Sequence, residues 1–344
     1  MGLKSYIAKR IVYMIFLIWF VLTLNFIIFE VMPGSPLEFF AGRPGAMSAE
    51  RVEELMQLWG FNDPFHVKYY RYIVNMLTLQ FGRSARTGQP VKNIISQALP
   101  NTLLLMGLST VISIVLGILT GSIAAYKRGG KLDTGLVTSS LITYSLPTFW
   151  MGMIFLIAFG LQLGWFPLGK TVSYWTEYPT GAPPPLADFQ ILSWNLVIPS
   201  FAEIADRLWH LFLPTLTLVL FQFGGYLLLT RATMIEAMSE DYIVTARAKG
   251  VKERLVIFRH ALRNASLPII TSAAISFGFM ISGAIITETV FSWPGLGGLT
   301  WRAIQLYDYP ILHVLFYVIA VCVIVANFIA DLAYGVVDPR IKYG

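Results

Sequence analysis

Apolar and polar stretches alternate along this 344-residue chain in blocks long enough to cross a bilayer. A hydrocarbon core about 30 Å thick needs roughly 20 helical residues. Six blocks reach that length, at about 10–32, 100–126, 134–163, 209–231, 268–291 and 311–335. Transmembrane strands would be shorter and would alternate, so the blocks predict an all-α polytopic membrane protein with six spans. The first block follows MGLKSYIAKR and stays apolar too long for a cleaved leader, which predicts an uncleaved first span.

The segments between the blocks have patterns of their own. After the first block come about 65 residues beginning MPGSP. Ser48 caps a predicted helix with Glu50 in its first turn, apolar Val52, Leu55, Met56 and Trp59, and Gly60 as its stop. Asp63-Pro64 opens a second amphipathic segment with Val67, Tyr70, Val74 and Leu77 as its apolar face, ending near Gly82. Such a segment is either a lid over helix ends or a docking surface. A later loop at about 164–208 holds Pro183-Pro184-Pro185 and the aromatics Tyr174, Trp175, Tyr178, Phe189 and Trp194. These read as bilayer-interface anchors or as a stacking surface for a sugar or peptide.

Between the fourth and fifth blocks lies a polar, basic island, Arg231 to Arg263, with DYIVTARAKGVKERLVIFRHALRN at its heart. Ser239, Glu240 and Asp241 mark a helix start, Tyr242, Thr245, Ala246 and Lys249 share one face, and Gly250 ends or bends the helix. Ala246, Ala248 and Gly250 are small enough to let another backbone approach. A second helix is expected from Lys252 to Arg263, with Leu255, Ile257, Phe258, Ala261 and Leu262 available for burial, until Pro268 opens span five. Four acids among seven bases argue against a helix merely resting on headgroups. A short helix that slots into a partner's groove fits the pattern better.

Charge sets the orientation. Lys4, Lys9, Arg10, Lys127, Arg128, Lys131, the seven bases of the island, Arg340 and Lys342 make fifteen of the 25 basic residues, on the shorter total loop length. The positive-inside rule then predicts that both termini are cytoplasmic. The net charge of +6 follows from this bias, and no soluble basic face suggests nucleic acid. The chain is 56% hydrophobic and 13% charged, with mean hydropathy +0.65, which excludes an ordinary soluble domain. Cys322 stands alone inside the sixth block, so neither an internal disulfide nor a cysteine metal site is expected.

Gly164 to Thr171 matches the phosphate-loop pattern G-x-x-x-x-G-K-[ST] letter for letter. That chemistry needs a strand before it, a helix after it and small residues between, so that amides wrap phosphate. Here an apolar helix precedes, Trp165, Phe166 and Pro167 fill the cradle, and Pro167 removes a donor. The match is read as chance. Glu288, Trp293, Pro294, Gly295, Gly297 and Gly298 in ETVFSWPGLGG read as an outer turn or gate. Glu288 either binds a backbone group there or snorkels. Glu30 and Asp331 also lie near span ends, and no Lys or Arg falls at mid-depth. His210 and His313 read as interfacial, while Asn25, Thr143, Gln222 and Asn327 either line a path or join helices.

The island DYIVTARAKG, nine residues and HALRNASLP resembles the cytoplasmic loop of permeases in the dipeptide/oligopeptide class of ABC importers. The resemblance extends to KRIVYMIFLIWFVLTLNFIIFEVMPGSP, LPNTLLLMGLSTVISIVLGILTGSIAAYKRGGKLD, ETVFSWPGLGG with Tyr309-Pro310, and DPRIKYG, in that order over nearly the whole chain. Val244 departs from the wider pattern, which often has Glu there, so contacts that need that acid do not carry over.

The resemblance implies a type I ABC importer transmembrane fold and a non-enzymatic transport subunit. Residues 1–95 would form the first span and an extracytoplasmic segment, 96–336 the transport domain with a coupling loop at about 231–268, and 337–344 a cytoplasmic tail. It implies a second, homologous permease, two ATPase subunits that bind ATP and Mg, and an extracytoplasmic solute-binding protein. No cofactor or metal is expected in this chain. Tyr242, Ala246, Arg247, Lys249 and Gly250 would form the coupling element, with Arg254, His260, Arg263 and Asn264 bracing it. Cargo would be a di- or oligopeptide, an oligosaccharide or a nickel chelate, and GYLLLTRATMIEAM with the aromatic outer loop leans toward sugar-handling relatives. A secondary carrier would want an intramembrane ionisable relay or an internal repeat, and a membrane enzyme a cluster of reactive side chains at one depth; neither pattern appears.

Overall fold

The structure is a computed structural model that describes residues 3–31, 63–173, 187–191, 194–198, 200–280 and 284–337. The helix expected after Ser48 and the aromatics Tyr174, Trp175 and Tyr178 lie outside these residues. In chain order the elements are α1 (Leu3–Val31), α2 (Phe65–Leu77), α3 (Val91–Tyr126), α4 (Lys131–Ser145) and α5 (Thr148–Phe155), which runs into a π-helix Leu156–Gln162. Then come β1 (Ala187–Ile191), β2 (Trp194–Ile198), α6 (Phe201–Met238), α7 (Asp241–Ala248), α8 (Glu253–Leu255) and a π-helical segment Val256–Ala261. The chain continues as α9 (Leu262–Phe279), α10 (Ile285–Val290), α11 (Leu296–Leu306) and α12 (Tyr309–Val337).

Among the described residues, α1, α3, α6 and α12 are each long and apolar enough to cross a membrane. The pair α4 and α5 with its π-helix makes a fifth, bent by 97°. The break has a local cause. Pro147 has no N–H to donate and pushes Leu146 out of the helical region, to ψ 135°. The fifth expected block is divided between α9 and α10. Because α9 begins in the polar run Leu-Arg-Asn-Ala-Ser, no membrane-length window within it is apolar enough to count. At 36 and 38 residues, α3 and α6 outlast the bilayer and extend beyond the boundaries expected from hydropathy. An antiparallel hairpin, with Ala187 opposite Ile198 and Ile191 opposite Trp194, adds a small sheet to a helical protein.

The chain divides into two compact units. The first comprises residues 1–103, 267–285 and 295–344. Its core gathers Leu22 and Phe26 of α1, Tyr72 and Met76 of α2, Val91 and Ile95 of α3, Leu296 and Leu299 of α11, and Leu312 and Leu315 of α12. The buried face of α2 is therefore Tyr72, Asn75 and Met76, whereas Tyr70 and Leu77, expected to be inside, are exposed. The rotation follows from tertiary pairing. The Phe26 ring packs edge-on against Phe65 and Tyr69, and Asn25 donates to the Tyr72 hydroxyl at 2.8 Å and to the His313 carbonyl at 3.0 Å. The His313 ring lies against Phe29, with centroids 3.8 Å apart and planes tilted by 32°. Lys68 of α2 pairs with Glu30 of α1 at 2.7 Å. Asp308 is buried and accepts from the Ser84 hydroxyl at 2.5 Å and the Ala85 amide at 3.1 Å, which fixes the turn that leads into α3.

The second unit comprises residues 104–266 and 286–294. Here α3 and α6 approach almost backbone to backbone. A Cβ on Gly117 would overlap Tyr226 Cβ, and one on Gly121 would lie 2.6 Å from the Leu227 carbonyl oxygen. Gly224 of α6 similarly faces the Ser140 carbonyl of α4, at 2.9 Å from where its Cβ would stand. Small residues let helices in lipid gain dispersion contact where no hydrophobic driving force separates helix from lipid. Thr110 donates to Gln222 across the α3–α6 crossing at 3.3 Å. His210 is buried, with Nδ1 2.9 Å from the Asp206 carbonyl.

Replacing Gly121 with Leu should destabilise the protein by about 1–3 kcal/mol or prevent assembly, because the side chain has no room. Gly225→Ala is the control, since nothing lies within 4 Å of that position. Thermal stability in detergent checks both; equal melting temperatures for the two variants would sink the close-packing argument.

Candidate docking site

The polar island is ordered by two helix ends and one glycine. α6 stops at Ser239, whose hydroxyl donates to the Glu236 carbonyl at 2.7 Å. Glu240 turns to ψ 148° as the N-cap of α7, and Asp241 places negative charge in the first turn, where free amides favour it. α7 ends in a paired closure. The Gly250 amide donates to Arg247 O at 2.9 Å and the Val251 amide to Ala246 O at 3.3 Å. This pairing needs a left-handed residue, and Gly250 has φ +72°. Its first task is thus conformational, while nothing lies within 4 Å of its missing Cβ, so the space beside it is open.

One face of α7 is seated. Ile243 and Ala246 are buried in a cluster with Ala125 of α3, Met234 and Ala237 of α6, Val256, Ile257 and Ala261 of the π-helical segment, and Ala265 of α9. Tyr242 is half-buried and donates its hydroxyl to the Ala237 carbonyl at 3.2 Å. The other face is open. Val244 is 61% exposed, and Thr245, Arg247, Ala248, Lys249 and Gly250 are exposed beside it. Leu255 and Phe258, expected inside, are also exposed. Three large apolar side chains on the outside of a polar loop are the kind of feature that marks an interface.

Arg247 forms a two-pronged pair with Glu253, at 2.7 and 3.3 Å. The hydrogen bonds that Arg247 donates to the Glu253 carboxylate raise its pKa above the ordinary value. With side chains 46% and 38% exposed, the pair adds under about 1 kcal/mol of stability but fixes where the guanidinium points. Of the residues expected to brace α7, Arg254, Arg263 and Asn264 are exposed and His260 is half-buried in the π-helical segment. The seat itself comes from Met234, Val256, Ile257 and Ala261. The second helix runs through Pro268 without stopping, since α9 extends from Leu262 to Phe279.

Glu288, Trp293, Pro294, Gly295 and Gly297 lie elsewhere along the chain. Glu288 is 0% exposed, which rules out snorkelling, and its carbonyl accepts from the Trp293 amide at 2.7 Å. Trp293 is fully buried and Pro294 half-buried. Gly295 is the extended N-cap of α11, Gly297 is buried in its first turn, and Leu296 donates to Thr102 Oγ1 at 2.7 Å. The phosphate-loop match is chance, as expected. The Trp165 and Phe166 amides both point to the Phe159 carbonyl, at 2.8 and 3.3 Å, and Phe166 stacks on Phe212. A Cβ on Gly169 would stand 2.8 Å from the Phe291 carbonyl oxygen, so Gly169 lets the loop pack against the turn after Val290.

One feature escaped the sequence reading. Asp133 and Arg231 form a forked ion pair at 2.6 and 2.8 Å. The signals were Asp133 three residues after Gly130, as in a helix first turn, and a lone Arg at the end of an apolar helix. Neither announces a partner about a hundred residues away.

Gly250→Ala should loosen the end of α7 by about 1–2 kcal/mol, the cost of a left-handed conformation for an L-residue. Amide exchange at Gly250 and Val251 would then speed up, less so for Gly250→Asn, which tolerates that conformation better. Unchanged exchange in the Ala variant would contradict the φ assignment.

The family described as binding-protein-dependent transport system inner membrane component matches residues 117–343. The oligopeptide transport system permease protein AppB of Bacillus subtilis (strain 168) is 36% identical over 342 residues, covering 99% of this chain and 100% of the relative. The di/tripeptide transport system permease protein DppB of Pseudomonas aeruginosa (strain UCBPP-PA14) is 35% identical over 341 residues, covering 98% and 99%. Among solved structures, an inward-facing MetNI methionine ABC transporter chain superposes with TM-score 0.54 at 13% identity, over 72% of this chain and 98% of that one. That likeness concerns the fold alone.

Proposed function

The chain belongs to the binding-protein-dependent transport system inner membrane component family, among the dipeptide/oligopeptide ABC permeases, and from that premise we propose that it carries peptides. It is a multi-pass membrane permease subunit of an ABC importer and not itself an enzyme. In the proposed assembly it forms half of a translocation path with a second, homologous permease. Peptides arrive from an extracytoplasmic solute-binding protein, and two ATPase subunits with bound ATP and Mg drive the cycle. Residues 96–336 form the transport domain, and both termini face the cytoplasm, as the distribution of Lys and Arg favours.

The observation that carries the coupling role is the two-faced α7. Its inner face, Ile243 and Ala246, is held by the ends of α3, α6 and α9. Its outer face offers Val244, Ala248 and Lys249 next to the open space at Gly250. Tyr242, Ala246, Arg247, Lys249 and Gly250 form the coupling element in this reading, and Arg254, His260, Arg263 and Asn264 face the same partner. Closure of an ATPase dimer would move the seated helix and, through it, the spans, between inward- and outward-open states. Glu288, Trp293, Pro294, Gly295 and Gly297 are assigned in this reading to an outer gate or turn. Peptide cargo is favoured over oligosaccharide because the relatives at 35–36% identity are named for peptides.

Ala248→Trp adds bulk to the outer face of α7 without straining its backbone. The tagged variant should recover roughly tenfold less ATPase, equivalent to about 1.4 kcal/mol, while retaining the second permease. A wild-type chain that brings down no ATPase would remove the importer assembly and return an ion-driven carrier to consideration. Cargo is decided by uptake into cells that carry the complete system. Labelled di- and tripeptides should enter; uptake of a trisaccharide with no uptake of peptides would reverse the cargo assignment.

A further inference from the structure

Asp133 sits in the first turn of α4 and accepts three hydrogen bonds from two partners. Its Oδ2 accepts from the Gly129 amide at 2.9 Å, closing the α3–α4 turn, where Gly129 has φ +76°. Its two oxygens also take the fork of Arg231. The Asp133 side chain is 5% exposed and that of Arg231 29%, so the pair is shielded from water and from salt in a way the Arg247–Glu253 pair is not. Removing one member leaves a nearly buried charge without its partner.

The pair also occupies a mechanical position. Arg231 is three residues from Met234, which lies fully buried in the cluster that seats α7. Ala125, near the end of α3, belongs to the same cluster. Just before Arg231, a Cβ on Gly121 would lie 2.7 Å from Thr230 Cβ, so α3 and α6 touch there almost without intervening side chains. The Thr230 hydroxyl is buried and has no hydrogen-bond partner among the described residues. An unbonded hydroxyl at a tight crossing is a local penalty.

We propose that Asp133 and Arg231 are positioning residues of the transport cycle, whose ion pair joins the α3–α4 turn and the end of α6 into one lever with α7. Displacement of α7 then reaches α4, the first half of the bent span, instead of being absorbed at the Gly129-Gly130 turn. The proposal rests on the ATPase docking argued above and adds where the motion goes. Charge complementarity at one point suffices, because the helices around it are already close-packed.

The test uses the complete complex of both permeases, ATPases and binding protein in proteoliposomes, measuring ATP hydrolysed per peptide transported. Asp133→Asn should keep the ATPase bound and hydrolysing while transport per ATP falls roughly tenfold, within the 5–150-fold span of ordinary coupling energies. Exchange of the two residues, Asp133→Arg with Arg231→Asp, should restore part of the ratio. If Asp133→Asn does not assemble, Arg231→Lys keeps the charge, loses the fork, and should still lower the ratio several-fold. An unchanged ratio in whichever single variant assembles overturns the lever, as does an exchange that restores assembly but leaves the ratio at the single-variant level. A wild-type complex without bound ATPase would instead overturn the docking reading on which the lever depends.

Discussion

A backbone amide that enters hydrocarbon must find its hydrogen bond inside the protein, because no water is there to supply one. That constraint makes each apolar block a helix and governs what polar side chains inside the blocks can do. Ser109, Ser113 and Thr217 turn their hydroxyls back to carbonyls one turn earlier, at 2.7, 2.7 and 2.9 Å. Asn25 and Gln222 reach across to neighbouring helices instead. Pro100, Pro214 and Pro268 sit within helices that continue past them. Pro147 does not, and there the span turns. The bilayer also removes the hydrophobic drive between helices, so close packing at Gly117 and Gly121 has to replace it.

Outside the blocks, water returns as a solvent for charge and the chain can afford two-faced elements. α2 lays an aromatic face on α1, while α7 lays Ile243 and Ala246 on the ends of three long helices. Both are too short to be stable alone and depend on the surface beneath them. For α7 this dependence is the useful property, since a helix that holds its shape only through its seat cannot move without moving the seat. A rigid C-cap at Gly250 and the Arg247–Glu253 fork keep its outer face in one presentation. The proposed coupling to an ATPase follows from that asymmetry between a buried face and an open one.

Much of the island was legible. Glu240-Asp241 and Gly250 bracket α7 because capping and left-handed turns depend on a few neighbouring residues. Four of the six expected blocks match single membrane-length helices, the third is bent by 97° and the fifth is divided; hydropathy, which reports lipid, is also blind to a helix that continues past its apolar run, as α3 and α6 do. The apolar face assigned to α2 was rotated. Val67, Tyr70, Val74 and Leu77 have helical spacing, but so do Tyr69, Tyr72, Ile73 and Met76, and only the shape of α1 selects between them. Leu255 and Phe258 were placed inside on spacing alone, and both are exposed; the π-helical segment from Val256 to Ala261 changes the register only at Phe258 and beyond.

By itself, then, the sequence determined that this is a helical membrane protein with a polar, basic loop that breaks into short capped helices between its fourth and fifth apolar blocks. Those properties follow from solvent preference and from interactions within a turn or two. Tertiary structure alone decided which helices touch, that Gly117 and Gly121 face α6, that Glu288 is enclosed, and that Asp133 meets Arg231. Such pairings depend on distances between segments far apart in the chain. No local pattern encodes them, because any carboxylate and any guanidinium attract equally until packing brings one pair within reach.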